Sequence, residues 1–92
     1  MSYAELIANL TADDRKALAA QGVPASRVSE WKTGFRLPTR PQTLALALVK
    51  NIDPIALERE LMLIETEKEA ERKPEARELL NRARERYITL MM

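Results

Sequence analysis

Between Ser26 and Arg40 the chain sets out hydroxyls and cations in a pattern suited to reading a polyanion. Ser26, Ser29, Glu30 and Thr33 recur at the helical spacing i, i+3, i+4 and i+7, so one helix face would present three hydroxyls and a carboxylate. Arg27, Lys32, Arg36 and Arg40 surround that face, and Glu30 is the one acidic residue between positions 23 and 40. Serine hydroxyls donate to or accept from base edges and phosphates, a carboxylate accepts from the cytosine N4 amine, and guanidinium groups pair with phosphates. The methyl of Ala25, at the amino end of the helix, suits contact with a thymine methyl. The chemistry implied is reversible recognition of double-stranded DNA, with no bond made or broken. A Ser-rich helix face on its own is ordinary solvated surface; the residues around this one give it meaning.

Such a face must be held from behind. Val28 and Trp31 fall within one third of the helix circumference, opposite the hydroxyls, and supply the buried side. Gly34 stops this helix, and Gly22 stops the one before it, which runs from Ala12 to about Gln21. Pro24 stands in the first turn, where its missing amide costs nothing. The expectation is a helix-turn-helix whose second helix, residues 24–33, enters a major groove amino end first. Downstream, the loop Phe35–Pro41 is stiffened by Pro38 and Pro41, which favours Arg36 and Arg40 as phosphate contacts.

The remaining elements read as helices too. Ser2-x-x-Glu5 and Thr11-x-x-Asp14 are capping signals. Tyr3, Leu6, Ile7 and Leu10 share one face of the first helix, and Ala17, Leu18 and Ala20 suit close packing on the second. A fourth helix, Pro41 to Lys50, carries Leu44, Leu46, Leu48 and Val49 around most of its circumference, which predicts a central core helix. Asp53-Pro54 opens a fifth with the seam Leu57, Leu61 and Ile64, which dissolves into the charged run Glu65–Lys73. Pro74 breaks the path, and a last helix from Glu75 to Met92 bears the stripe Ala76, Leu79, Leu80, Ala83, Tyr87 and Leu90. No strand-like alternation lasts four residues. The predicted fold class is all-α: a compact five-helix domain over residues 1–66 and a C-terminal helical extension over 67–92.

Composition narrows the function. Ninety-two residues with 46% hydrophobic content make one small soluble domain, and a chain this short gains from dimerisation. The absence of cysteine and histidine removes disulfides, thiolate metal sites and the commonest general base together. No enzyme, cofactor or metal is expected, and no small-molecule pocket is inferred. Neither a secretory leader nor a membrane span is legible, so the expected place is the cytoplasm of a bacterial host. Charge is unevenly spread: residues 1–50 hold seven Lys/Arg against four Asp/Glu, residues 51–92 eight against ten. The basic half is the one with the hydroxyl-lined helix, and the acidic half should point away from DNA.

Residues 10–53 resemble the helix-turn-helix domain of phage repressor and Cro-type (XRE-like) regulators. The resemblance lies in Gly22-Val23 at the turn, Val28 and Trp31 in the recognition helix, Gly34 after it, Phe35-Arg36-Leu37-Pro38, and Thr43-Leu44-Ala45-Leu46-Ala47-Leu48 followed by Ile52. It implies homodimeric binding to a palindromic operator and transcriptional repression. Base-reading positions then fall on Ala25, Ser26, Ser29 and Glu30, and backbone contacts on Arg27, Thr33, Arg36 and Arg40, with Lys32 added by its charge. Asp14 and Leu18 stand where the family has Gln and Ala, and Pro24 where it has Ser or Thr. The C-terminal stripe, with Leu79, Leu80, Ala83, Tyr87 and Leu90, is the expected dimerisation element. Two other readings stay open: an antitoxin-like or accessory regulator whose C-terminal helices bind a partner protein, and a helical adaptor with no DNA role.

Overall fold

The computed structural model of the chain describes residues 2–88, with side chains through residue 86. It is all-α, and among the described residues there is no strand. Six α-helices follow one another: α1 (Tyr3–Ala8), α2 (Ala12–Ala20), α3 (Ala25–Thr33), α4 (Arg40–Lys50), α5 (Pro54–Ala70) and α6 (Pro74–Ala83). A π-helical turn, Arg84–Ile88, extends α6. Backbone packing divides the chain into two compact units, one ending at Glu58 and the other beginning at Arg59, rather than at 66/67. The boundary lies within α5.

Local signals start and stop these helices. The Ser2 hydroxyl accepts from the Glu5 amide at 3.2 Å. At α2 the capping is reciprocal: Asp14 N–H donates to Thr11 Oγ1 and Thr11 N–H donates to Asp14 Oδ2, each at 3.0 Å. A second reciprocal box, Thr39 with Gln42, starts α4 at Arg40, one residue before Pro41. Gly22 (φ 87°) and Gly34 (φ 78°) take the left-handed conformation that ends α2 and α3. Asn51 does the same after α4 (φ 53°).

In the first unit α1 packs against α3, while α2 packs against both α3 and α4. Leu18 and Leu46 are fully buried, with Leu6, Ile7, Val23, Val28, Trp31 and Ala47 close behind. Only Leu18 of the three small-packing candidates on α2 is buried; Ala17 and Ala20 are exposed. Helix α4 departs further from expectation. It turns Thr43, Ala45, Leu46 and Ala47 inward and leaves Leu44 and Leu48 exposed at 54% and 67%. It is therefore a one-sided helix, whose inward side combines Leu46 with the small residues Thr43, Ala45 and Ala47.

In the second unit α5 carries on to Ala70, so the charged run after Ile64 is, as far as Ala70, a helix rather than a linker, the two readings its sequence allows. Charge pairing closes its end: Glu69 takes Arg72 at 2.7 Å and Lys73 at 3.0 Å. Those hydrogen bonds, from Lys73 first, hold the Glu69 carboxyl below its usual range. Pro74 begins α6 at its first position.

Asp14 also holds Lys50 Nζ at 2.9 Å, tying the start of α2 to the end of α4. The Thr11 amide, with Lys50 next, keeps the Asp14 carboxyl below its ordinary value. A carboxyl lowered in the folded state stabilises above its unfolded pKa of about 4 and stops doing so as pH falls through the folded value. Asp14→Asn should therefore lower stability by about 1 kcal/mol near neutrality. Thermal melts at a series of pH values should show the gap to wild type closing below pH ~4; a gap independent of pH would contradict the pairing.

Candidate nucleic-acid interface

Helix α3 is gripped on one side only. Val28 and Trp31 are buried at 2% and 3% exposure, and Val23 in the preceding turn at 2%. Opposite them Ala25, Ser26, Ser29 and Thr33 are exposed, and Lys32 lies exposed at the flank. The connection Gln21–Pro24 holds α2 and α3 together: Val23 N–H donates to Leu18 O at 2.9 Å, and Gly22 N–H to Ala19 O at 3.0 Å. Pro24, extended at φ −73° and ψ 162°, is the N-cap without a side-chain bond. The amino end of α3 is thus free of its own caps, with amides available to an anion.

The side chains differ in availability. Ser26 and Ser29 stand in solvent with both hydrogen-bonding capacities available. Thr33 donates its hydroxyl proton to Glu30 O at 3.1 Å, so it keeps accepting capacity toward other donors. Lys32 has no ion pair among the described residues. Arg40 is the first residue of α4, 87% exposed at its side chain, and approaches Glu58 at 3.7 Å.

Glu30 differs most from the sequence expectation. Its Oε1 accepts from Arg27 Nη1 at 3.0 Å, and its Oε2 meets Arg36 Nε at 2.8 Å. Both oxygens are engaged, so a base contact would have to share an oxygen that already accepts from an arginine. Arg36 reaches Glu30 because the chain reverses at Gly34. Phe35 and Arg36 amides both donate to the Glu30 carbonyl, at 3.0 and 3.4 Å. The Arg36 guanidinium also lies 5.7 Å from the Phe35 ring centroid. The expected face is therefore brought together, with Arg27, Glu30 and Arg36 as one cluster. Arg27-x-x-Glu30 is legible as an i, i+3 pair; the return of Arg36 is not.

The expected dimerisation stripe is divided. Leu80 is fully buried in its own chain and is unavailable to a second copy, which corrects its assignment. Leu79 and Leu80 flank the Ala76–Ala83 line on opposite sides, about 100° apart, and of the two only Leu80 is covered. Leu79 is 59% exposed and Ala83 half-buried. The Tyr87 side chain and Leu90 lie outside the described residues.

A surface that sequence reasoning missed lies on the first unit. Leu44 and Leu48 share one face of α4, and Ile55, 60% exposed, lines with Leu44 an open groove of about 230 Å³. Arg40, Thr43, Pro54 and Glu58 complete its walls. No helix among the described residues is long and apolar enough to cross a membrane.

Comparison with protein-family models, with curated proteins and with solved structures finds no match to the chain.

Proposed function

We propose that the chain is a sequence-specific DNA-binding transcriptional regulator of the cytoplasm, a homodimer that inserts α3 into the major groove of a palindromic operator and blocks transcription. One observation carries the reading: α3 is anchored by Val28 and Trp31 while its opposite side offers Ala25, Ser26 and Ser29 to solvent, bordered by Arg27, Lys32 and Arg36. The resemblance to phage repressor and Cro-type regulators supports the same function. Selection from a pool of random duplexes tests it. The recovered sequences should contain an inverted repeat with half-sites about 10 base pairs apart, centre to centre. Recovery of no common sequence would count against the reading.

A two-fold operator requires two copies, and the exposed apolar face of α4 supports where they meet. In a two-fold contact, residue i of one copy meets j of the other and j meets i. Arg40 and Glu58 line the groove together, so each cation would face the other copy's anion. Leu44 and Ile55, 54% and 60% exposed rather than fully so, would fill the apolar centre, each gaining about 1–2 kcal/mol on full burial. Leu48→Glu should convert a dimer to a monomer in sedimentation velocity and leave helicity unchanged, since Leu48 is exposed within the protomer. A Leu48→Glu chain that still dimerises would move pairing elsewhere. A wild type monomeric at every concentration would count against a two-fold operator and favour the accessory-regulator reading, in which the C-terminal helices bind a partner protein.

A further inference from the structure

The carboxylate at the centre of the basic cluster is the least expected group on a surface meant for phosphate. It is also tightly built in. Glu30 holds Arg27 and Arg36 with its two oxygens, at 3.0 and 2.8 Å, and its carbonyl receives the amides of the turn that brings Arg36 back. The Arg27 and Arg36 side chains remain 37% and 56% exposed, so an incoming anion can compete for them from solvent. We propose that Glu30 is a specificity-setting counter-ion, which keeps Arg27 and Arg36 bridged in the free protein and yields them to phosphate only on a duplex whose bases hold α3 in register. This rests on the DNA-binding reading.

The physical argument is one of exchange. Phosphate replacing carboxylate on a guanidinium swaps one charge-assisted hydrogen bond for another, so the net gain is small. The released carboxylate is then left beside phosphates of its own sign. Binding to an arbitrary duplex therefore gains little from these two arginines. On the correct duplex, contacts from Ser26 and Ser29 fix the helix and make up the difference. Discrimination arises because the wrong complex is disfavoured, as well as because the right one is favoured.

The test compares wild type, Glu30→Gln and Glu30→Asp by fluorescence anisotropy. Each is titrated against a random-sequence duplex and against the duplex recovered by selection, over a range of salt. Glu30→Gln should bind the random duplex about tenfold tighter, with a log–log salt slope steeper by about 0.9 for each further phosphate neutralised. The preference for the selected duplex should fall by a similar factor. Glu30→Asp keeps the charge but is one methylene too short to span both arginines, so it should move the same way by less. A structural role alone would not steepen the salt slope. Unchanged or weaker random-duplex binding by Glu30→Gln overturns the proposal, and a loss confined to the selected duplex makes Glu30 a base reader instead. Glu30→Asp behaving as wild type would reduce its role to repulsion and overturn the bridge. If Glu30→Gln fails to fold, Glu30→Asp alone decides. Wild type binding neither duplex removes the DNA reading and the proposal together, whereas wild-type binding with inert variants removes the proposal alone.

Discussion

Arg36→Ala should weaken binding to the selected duplex and flatten its dependence on salt, with little effect on a random duplex, where Glu30 keeps this guanidinium. A charge-assisted hydrogen bond contributes about 1.5–3 kcal/mol, and a dimer loses two of them. Part of that is already spent on Glu30, so a rise in Kd of about tenfold to a hundredfold is expected. Removing one phosphate contact from each copy should lower the slope of log K against log salt by about 1.8 for the dimer. Sequence preference should fall by the same factor, although Arg36 lies past the end of α3 and no base-facing hydroxyl is touched. The salt titration separates the outcomes. An Arg36→Ala chain with wild-type slope would mean that this guanidinium serves only Glu30 and the Phe35 ring.

Trp31→Ala should have the largest effect on folding. Trp31 is 3% exposed on the helix that carries the candidate interface, and α1 packs against that helix. Truncating a buried tryptophan costs about 3–5 kcal/mol. A chain of this size has a total stability of about 5–14 kcal/mol, so the loss takes a large share. The expected signature is a drop in Tm of about 12–40 °C, followed by far-ultraviolet circular dichroism. Trp31→Phe should cost much less than Trp31→Ala, since the indole Nε1 has no hydrogen-bond partner in the structure and the ring alone does the packing. A Trp31→Ala chain melting within a few degrees of wild type would contradict the burial of this residue. DNA binding should be lost with the fold, so only folded variants report on the interface.

Much of this arrangement was legible because it is written in local signals. The Thr11–Asp14 box, Gly22 and Gly34 mark the ends of α2 and α3 by backbone chemistry that needs no tertiary context. Val28 and Trp31 are the large apolar side chains of α3, so its buried face follows from a 100° step. The Thr39-x-x-Gln42 box was equally readable, yet Pro41 drew attention as the start of α4. Other features depend on what lies opposite. Which side of α4 is inward is set by what packs against it, and the helix buries Leu46 with Ala45 and Ala47 while leaving Leu44 and Leu48 exposed. The tail of α5 lacks apolar periodicity after Ile64, and its charge pairs near Ala70 become visible only once the backbone is helical. Leu79 and Leu80 stand on opposite edges of one stripe, and which edge is covered depends on what packs there. Arg36 meets Glu30 only through the reversal at Gly34, six residues on, beyond any i, i+4 rule.

Binding affinity for the selected duplex, set against a shuffled duplex of the same composition, tests the central claim most directly. The full chain is titrated into each labelled duplex at low and at physiological salt, and the ratio of the two Kd values is read. A regulator using α3 as described should prefer the selected duplex by about a thousandfold or more at physiological salt. Both affinities should fall as salt rises. Equal, weak binding to the two duplexes, or none at low salt, would contradict the account and leave the apolar face of α4 as the surface to explain.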